Sequence, residues 1–305
     1  MLILSWLLVG LFFMLMVSGN IISSTLNGFT CPDWPLCFIT FSAALGQATS
    51  GETVHRILAV TALILVSGVL HQIVGRKNSQ LGGNPQLKKL GQAIVLLLGG
   101  QFGLGIAMMF LGFSPVASTI HFLFASLVFS GLIVIACTVT WGFPVVQNLP
   151  SNAQGNGQSK IQRLAIFGLG GVAVQLLLGA LVRHTHAGLS CPNFPACGTN
   201  FLPDLFTFKS TLAFMHRWWG VLILGLFFHL AMAARGTGLT VARLAAAAFA
   251  LSLTQILLGI VTVMGGLNVE ARALHAAVAY TLWGILLSIA VRAGALKFNT
   301  AAREP

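Results

Sequence analysis

Apolar residues fall in eight long runs free of charged side chains, at about 2–22, 57–74, 90–112, 116–141, 164–182, 218–234, 244–269 and 273–291. Each is near the roughly 20 residues that a spanning helix needs. None alternates apolar with polar positions over about 10 residues, as the strands of a membrane barrel do. Between the fourth and fifth runs lies SNAQGNGQSK (151–160), polar and rich in Gly, Asn and Gln, which reads as a cytoplasmic linker. The pattern predicts an all-α integral membrane protein of eight transmembrane helices. They are expected as two tandem four-helix bundles, 1–150 and 164–305, joined by a linker at 151–163. The first run has no basic leader and no small-residue cleavage site, so it is expected to remain as a helix.

Composition agrees with the pattern. The 305 residues are 56% hydrophobic and 7% charged, where a soluble globular chain carries about 25% charged residues. The net charge of +11 could point to nucleic acid, but its distribution does not. Eleven of the 16 cations lie between or after helices at alternate turns: Arg76, Lys77, Lys88, Lys89, Lys160, Arg163, Arg235, Arg243, Arg292, Lys297 and Arg303. This is the positive-inside pattern. It predicts both termini in the cytoplasm and the turns after helices one and five outside. The other five cations, Arg56, Arg183, Lys209, Arg217 and Arg272, fall on the outer side, where that rule does not place them.

The chain repeats itself. GFTCPDWPLC (28–37) returns as GLSCPNFPAC (188–197), with an offset of 160 between Cys31 and Cys191. QFGLGI (101–106) returns as QILLGI (255–260), and a histidine follows each glutamine twenty positions on, at His121 and His275. VHR (54–56) is matched by MHR (215–217). Matched features in one order indicate an internal duplication. Four helices per half is an even number, so the two repeats face the same way, related by an axis along the membrane normal.

His55, His121, His216 and His275 therefore sit at matched depth, within about two turns of the outer end, two per half. Ionisable residues inside a membrane are costly and mark function by default. A single helical histidine is more often a hydrogen-bonded core residue, but four at matched depth are not explained that way. Two facing imidazoles in a helical bundle suit a heme iron; zinc usually takes four ligands, often with Cys or carboxylate. Heme propionates need cations at the wet edge. Arg56, Arg183, Arg217, Arg272 and Lys209 are placed to supply them, the arginines by their bidentate fork, although snorkelling to lipid phosphates is the alternative. His71 and His229 lie toward the cytoplasmic ends, where packing explains them. His184 and His186 are extracytoplasmic, at the mouth of the second half or solvated.

Cys31, Cys37, Cys191 and Cys197 face the oxidising side, where disulfides persist. Each pair closes a short proline-rich loop, read either as a structural lid over a heme edge or as a redox-active pair. Cys137, mid-helix, reads as a small apolar core residue. The halves differ in one respect. Glu52 precedes His55 by three residues on one helix face, whereas Ala213 precedes His216. A first-turn glutamate is favoured by the helix dipole alone. Beside a heme ligand it could also act as a base or stabilise positive charge. Arg183 is unmatched too, since the first half has Ser23 there. One half looks like a working site and the other like a holder for a permanent cofactor.

CPDWPLC, the Glu52-x-x-His55-Arg56 group, RHTHAGLSCPNFPAC, His216-Arg217, His121 and His275 together resemble the heme A synthase family, over essentially the whole chain. The resemblance implies two four-helix bundles and oxidation of the C8 methyl of heme O to a formyl group, through successive hydroxylations, to make heme A for cytochrome oxidase. It implies heme b as cofactor between His216 and His275, and the substrate heme O between His55 and His121, with Glu52 as the essential carboxylate. Heme O synthase and cytochrome oxidase assembly factors are the partners it implies, with an electron donor that the sequence does not name. It implies a multi-pass protein of the bacterial plasma membrane or an equivalent energy-coupling membrane, in contact with lipid and not nucleic acid; a homo-oligomer is open. If both His55 and His121 bind the substrate iron, dioxygen cannot, unless a ligand leaves, and water attacking an oxidised methyl becomes the other source of oxygen. The alternative is a di-heme b membrane cytochrome taking electrons from quinol. A transporter is a third reading, disfavoured because the histidines lie near the outer surface and not at the midplane.

Overall fold

The computed structural model describes residues 2–25, 49–75, 84–141, 156–199, 201–203 and 207–296. The described residues form eight helices long and apolar enough to cross a membrane. They are α1 (Leu2–Ile22), α2 (Thr49–Gly75), α3 (Pro85–Leu111), α4 (Pro115–Trp141), α5 (Asn156–His184), α6 (Phe208–Ala233), α7 (Leu239–Met264) and α8 (Val269–Arg292). Helices satisfy every backbone group internally, which lipid demands.

Several helices start before their apolar runs do. α2 begins at Thr49 instead of 57, and α6 at Phe208 instead of 218. An apolar run ends at the first charge, but the helix continues into the headgroup region, where a charged side chain is tolerated. This brings Glu52, His55, Arg56, His216 and Arg217 inside helices. α5 likewise begins at Asn156, within the stretch expected as linker.

Caps set the other ends. Asn84 accepts from the backbone of Gln86 at 2.9 Å and Leu87 at 3.3 Å, with Pro85 as the first helical residue of α3. Thr207 and Ser210 form a reciprocal capping box at α6. Asn268 accepts from Ala271 at 2.8 Å to start α8. α7 ends with Leu267 N–H bonded back to Thr262 and Gly266 at φ 66, a left-handed stop. α5 ends in the same way, with Ala187 N–H bonded to Val182, but His186 takes the left-handed position at φ 55.

The chain divides into two compact units, Met1–Val139 and Thr140–Phe298. In the first, α2 packs on α1 and α3. α4 meets α3 where Gly131 lies so close to Ile94 that a Cβ would sit 2.6 Å from it. In the second, α5, α6, α7 and α8 close a ring, each packed on the next and α8 back on α5. Its core is built on Phe227, Leu230, Leu286 and Ile289, all fully buried, with Ala245 and Ala248 letting α7 approach. Cys137 is buried and unbridged, as its mid-helix place predicts.

Candidate functional site

The first unit carries His55 on α2 and His121 on α4, both half-buried. Ser18 on α1 fixes His55. Its hydroxyl donates to the Leu15 carbonyl at 2.8 Å and its oxygen lies 2.9 Å from His55 Nδ1. With the hydroxyl proton used on Leu15, Oγ can only accept, so Nδ1 is the protonated nitrogen. Nε2 then carries the lone pair, the tautomer a metal ligand needs. His121 is held differently: the Gln101 side-chain amide donates to its Nε2 at 2.9 Å.

Glu52 sits in the first turn of α2 and pairs with Arg56 one turn on, Oε1 to Nη2 at 2.5 Å. Both are buried, at 8% and 9% exposure. A charge pair this far from solvent persists only when well matched. The carboxylate and one expected propionate partner are therefore already engaged with each other.

In the second unit, His216 on α6 and His275 on α8 face one another, ring centres 6.4 Å apart and planes at 64°. Their backbones are pinned from the preceding helices. Gln175 on α5 donates to the His216 carbonyl at 3.0 Å, and Gln255 on α7 to the His275 carbonyl at 2.9 Å. Nδ1 of each ring is buried without a hydrogen-bond partner. The matched glutamines thus do different work: Gln255 holds backbone, while Gln101 covers a ring nitrogen.

The second cysteine loop is well defined. Cys191 and Cys197 form a disulfide, buried against Ala213 and Phe214. Phe201, Phe214 and Trp218 cluster beside it, with ring centres 4.9 to 6.3 Å apart. Arg217 reaches up from α6 and donates to three loop carbonyls, those of Cys191, Asn193 (2.6 Å) and Ala196 (3.3 Å). Its guanidinium ties the loop to the first turns of α6. Arg272 lies at the start of α8 with a long contact of 3.4 Å to the Leu267 carbonyl, and Arg183 is half-buried in the last turn of α5. Cys31 and Cys37 lie outside the described residues.

The second pair fits an iron. Two imidazoles bound on opposite sides of one metal, each nitrogen about 2.0 Å away and about 1.2 Å from its own ring centre, put the centres roughly 6.4 Å apart. Among the described residues no group of three or more His, Cys, Asp or Glu could hold a bare metal ion. Two ligands suit an iron whose other positions a porphyrin fills.

Sequence reasoning did not find Ser18 or Gln175. The signal for Gln175 was present, since QLLLG (175–179) repeats the glutamine-to-glycine spacing of QFGLG (101–105) and QILLG (255–259). Nor did it pair Glu52 with Arg56, although the spacing of four is the standard helical ion-pair register.

The chain is similar to known proteins. The chain is 28% identical over 277 residues to a heme A synthase of Symbiobacterium thermophilum, covering 88% of this chain and 87% of that protein. A heme A synthase of Shouchella clausii is 27% identical over 210 residues, 67% of this chain and 66% of its own length. One from Bacillus cereus is 29% identical over 188 residues, 61% and 58% of the two chains. The model of the COX15-CtaA family, described as cytochrome oxidase assembly protein, matches residues 44–287, and so much of the chain is covered that it belongs to that family.

Proposed function

We propose that this chain is a heme A synthase, a membrane oxidoreductase that converts the C8 methyl group of heme O to a formyl group. The observation that carries the reading is an asymmetry inside a symmetric plan. Both units present a histidine pair from matched positions, but among the described residues only the first adds a buried carboxylate, Glu52, one turn from His55. A plain two-heme electron carrier needs no such group.

In this reading His216 and His275 hold a resident heme b. That group supplies one-electron redox chemistry when bound. The protein's part there is rigidity: Gln175 and Gln255 fix the carbonyl of each ligand, so neither helix has to move. The first unit takes the substrate, its iron between His55 and His121. Ser18 presents the lone pair of His55 Nε2, and Gln101 must release His121 Nε2 before that ring can bind.

Two oxidations lie between methyl and aldehyde. Each replaces a C–H bond by C–OH: water supplies the oxygen, two protons are released, and two electrons pass to dioxygen as the terminal oxidant. The resulting hydrated aldehyde loses water. If His55 and His121 both hold the substrate iron, dioxygen would have no place on it and water would be the oxygen source. Glu52 accepts the proton as water attacks, and its charge opposes the positive charge that develops on the methyl carbon. Arg56 orients the carboxylate through Oε1. The two cysteine loops are on the outer side of the membrane in this topology, both termini in the cytoplasm.

The test is chemical. The protein is expressed in a host that makes heme O but no heme A, and all heme is extracted and identified by mass. Heme A or its alcohol precursor supports the reading. Heme b alone, near two per chain, refutes it in favour of the electron carrier. Glu52→Gln should stall before the aldehyde; normal heme A from that variant removes the carboxylate from the mechanism.

A further inference from the structure

Each candidate ligand meets a glycine on the preceding helix. An added Cβ would lie 3.0 Å from His55 Cε1 at Gly19, 3.2 Å from His121 Cε1 at Gly105, 3.1 Å from His216 Cε1 at Gly179 and 3.4 Å from His275 Cε1 at Gly259. In three cases a glutamine stands one turn before the glycine, at Gln101, Gln175 and Gln255. In the fourth, α1 has Leu15 there, and Ser18 beside Gly19 holds the ring instead.

Glycine weakens a helix interior. Membrane helices still use it to pack closely, and some here do only that: Gly171 faces Ile223 and Gly168 faces Leu286 and Phe227. Other glycines on the same helices, Gly10, Gly103 and Gly170, have nothing within 4 Å. The four histidine contacts are distinct because all fall on Cε1, the carbon between the two ring nitrogens. Pushing that atom turns the direction of Nε2. A Cβ at 3.0 to 3.2 Å forces a shift of a few tenths of an ångström, while metal–nitrogen bonds tolerate about 0.2 Å. The contact at Gly259 is ordinary and forces little.

We propose that Gly19, Gly105, Gly179 and Gly259 are positioning residues that set the direction of the four imidazoles, each working with the polar residue that pins the same histidine. This rests on the reading of those histidines as iron ligands. The sequence module is glutamine, three residues, glycine, with a serine substitute in α1. It separates the units by function: Gly179 and Gly259 orient ligands to a resident heme, Gly19 and Gly105 ligands to an incoming one.

The test uses the full-length protein with the heme that copurifies, and reads the ferric electron paramagnetic resonance signal, the midpoint potential and the melting temperature. Gly179→Ala should shift the low-spin signal and the potential or lose the heme. Gly259→Ala should shift them less, and Gly170→Ala not at all. Gly19→Ala should leave the copurified heme b signal unchanged and weaken uptake of added heme O about tenfold or more, the range for groups that orient a ligand. Because Gly179→Ala could simply fold poorly, the same change is made in His216→Ala. Its loss of melting temperature should vanish there, since the ring it strikes is gone. An equal loss in both backgrounds, or an unchanged signal and potential in Gly179→Ala, overturns the positioning role while the ligand reading stands. If His216→Ala and His275→Ala keep the heme and its low-spin signal, the ligand reading falls first, and the positioning role with it.

Discussion

Arg217 was expected from sequence to hold a propionate, and the structure gives it another task. It donates to the carbonyls of Cys191, Asn193 and Ala196, so one guanidinium spans the disulfide loop from end to end. Arg217→Ala removes three hydrogen bonds. Each contributes about 1 kcal/mol net, more for a charged donor, and the side chain's half-exposed place reduces the charged part. The Ala196 contact, at 3.3 Å, is too long to count fully, so two such bonds give a total of about 2 kcal/mol. That is about thirty-fold in the population of open loop. If the Cys191–Cys197 bond is reduced only in the open form, its reduction rate should rise by the same factor. The assay is a time course with a membrane-impermeant phosphine, followed by thiol alkylation and mass measurement of the 185–199 segment. Arg217→Lys should fall between, because an ammonium keeps the charge but lacks the planar fork. An unchanged reduction rate together with loss of heme would refute the clamp and restore the propionate role.

Other outcomes follow from the same contacts. Ser18→Ala removes the acceptor on His55 Nδ1 and should weaken heme O binding about tenfold in a spectral titration, with the resident heme spectrum unchanged; equal affinity would count against the tautomer assigned to His55. Gln101→Leu uncovers His121 Nε2 and should tighten heme O binding about fivefold, the value of one net hydrogen bond, so weaker binding would show that Gln101 helps the substrate instead of capping the ring. His216→Ala should remove heme b while leaving uptake of heme O measurable, and His55→Ala the reverse, checked by heme extraction from each; loss of both hemes in either variant would contradict two separate sites.

The site was partly legible in the sequence, and the illegible part has a common cause. His55, His121, His216 and His275 stand out because an ionisable group in an apolar run is rare. Glu52 stands out because its repeat position holds Ala213. Ser18, Gln175 and the four glycines do not stand out. Serine, glutamine and glycine are ordinary in membrane helices, and their work appears only when a second helix is beside them. Arg217 is similar: the sequence offers a propionate or a lipid phosphate as its partner, and only the fold brings it to the carbonyls of Cys191, Asn193 and Ala196.

What the sequence by itself determined is the set of elements: eight spanning helices, their approximate limits, the repeat and the four candidate histidines. Lipid makes this possible, because it leaves the backbone no choice but to bond within each segment, and apolar length alone then marks a helix. What tertiary structure decided is direction and pairing. Helix packing turned His216 toward His275 at 6.4 Å, set Gln175 and Gln255 on the carbonyls of those two histidines but Gln101 on a ring nitrogen, and joined Glu52 to Arg56. Between helices in lipid, close van der Waals fit and a few hydrogen bonds choose the register, and a one-dimensional pattern of apolar residues does not encode which rotamer meets which neighbour.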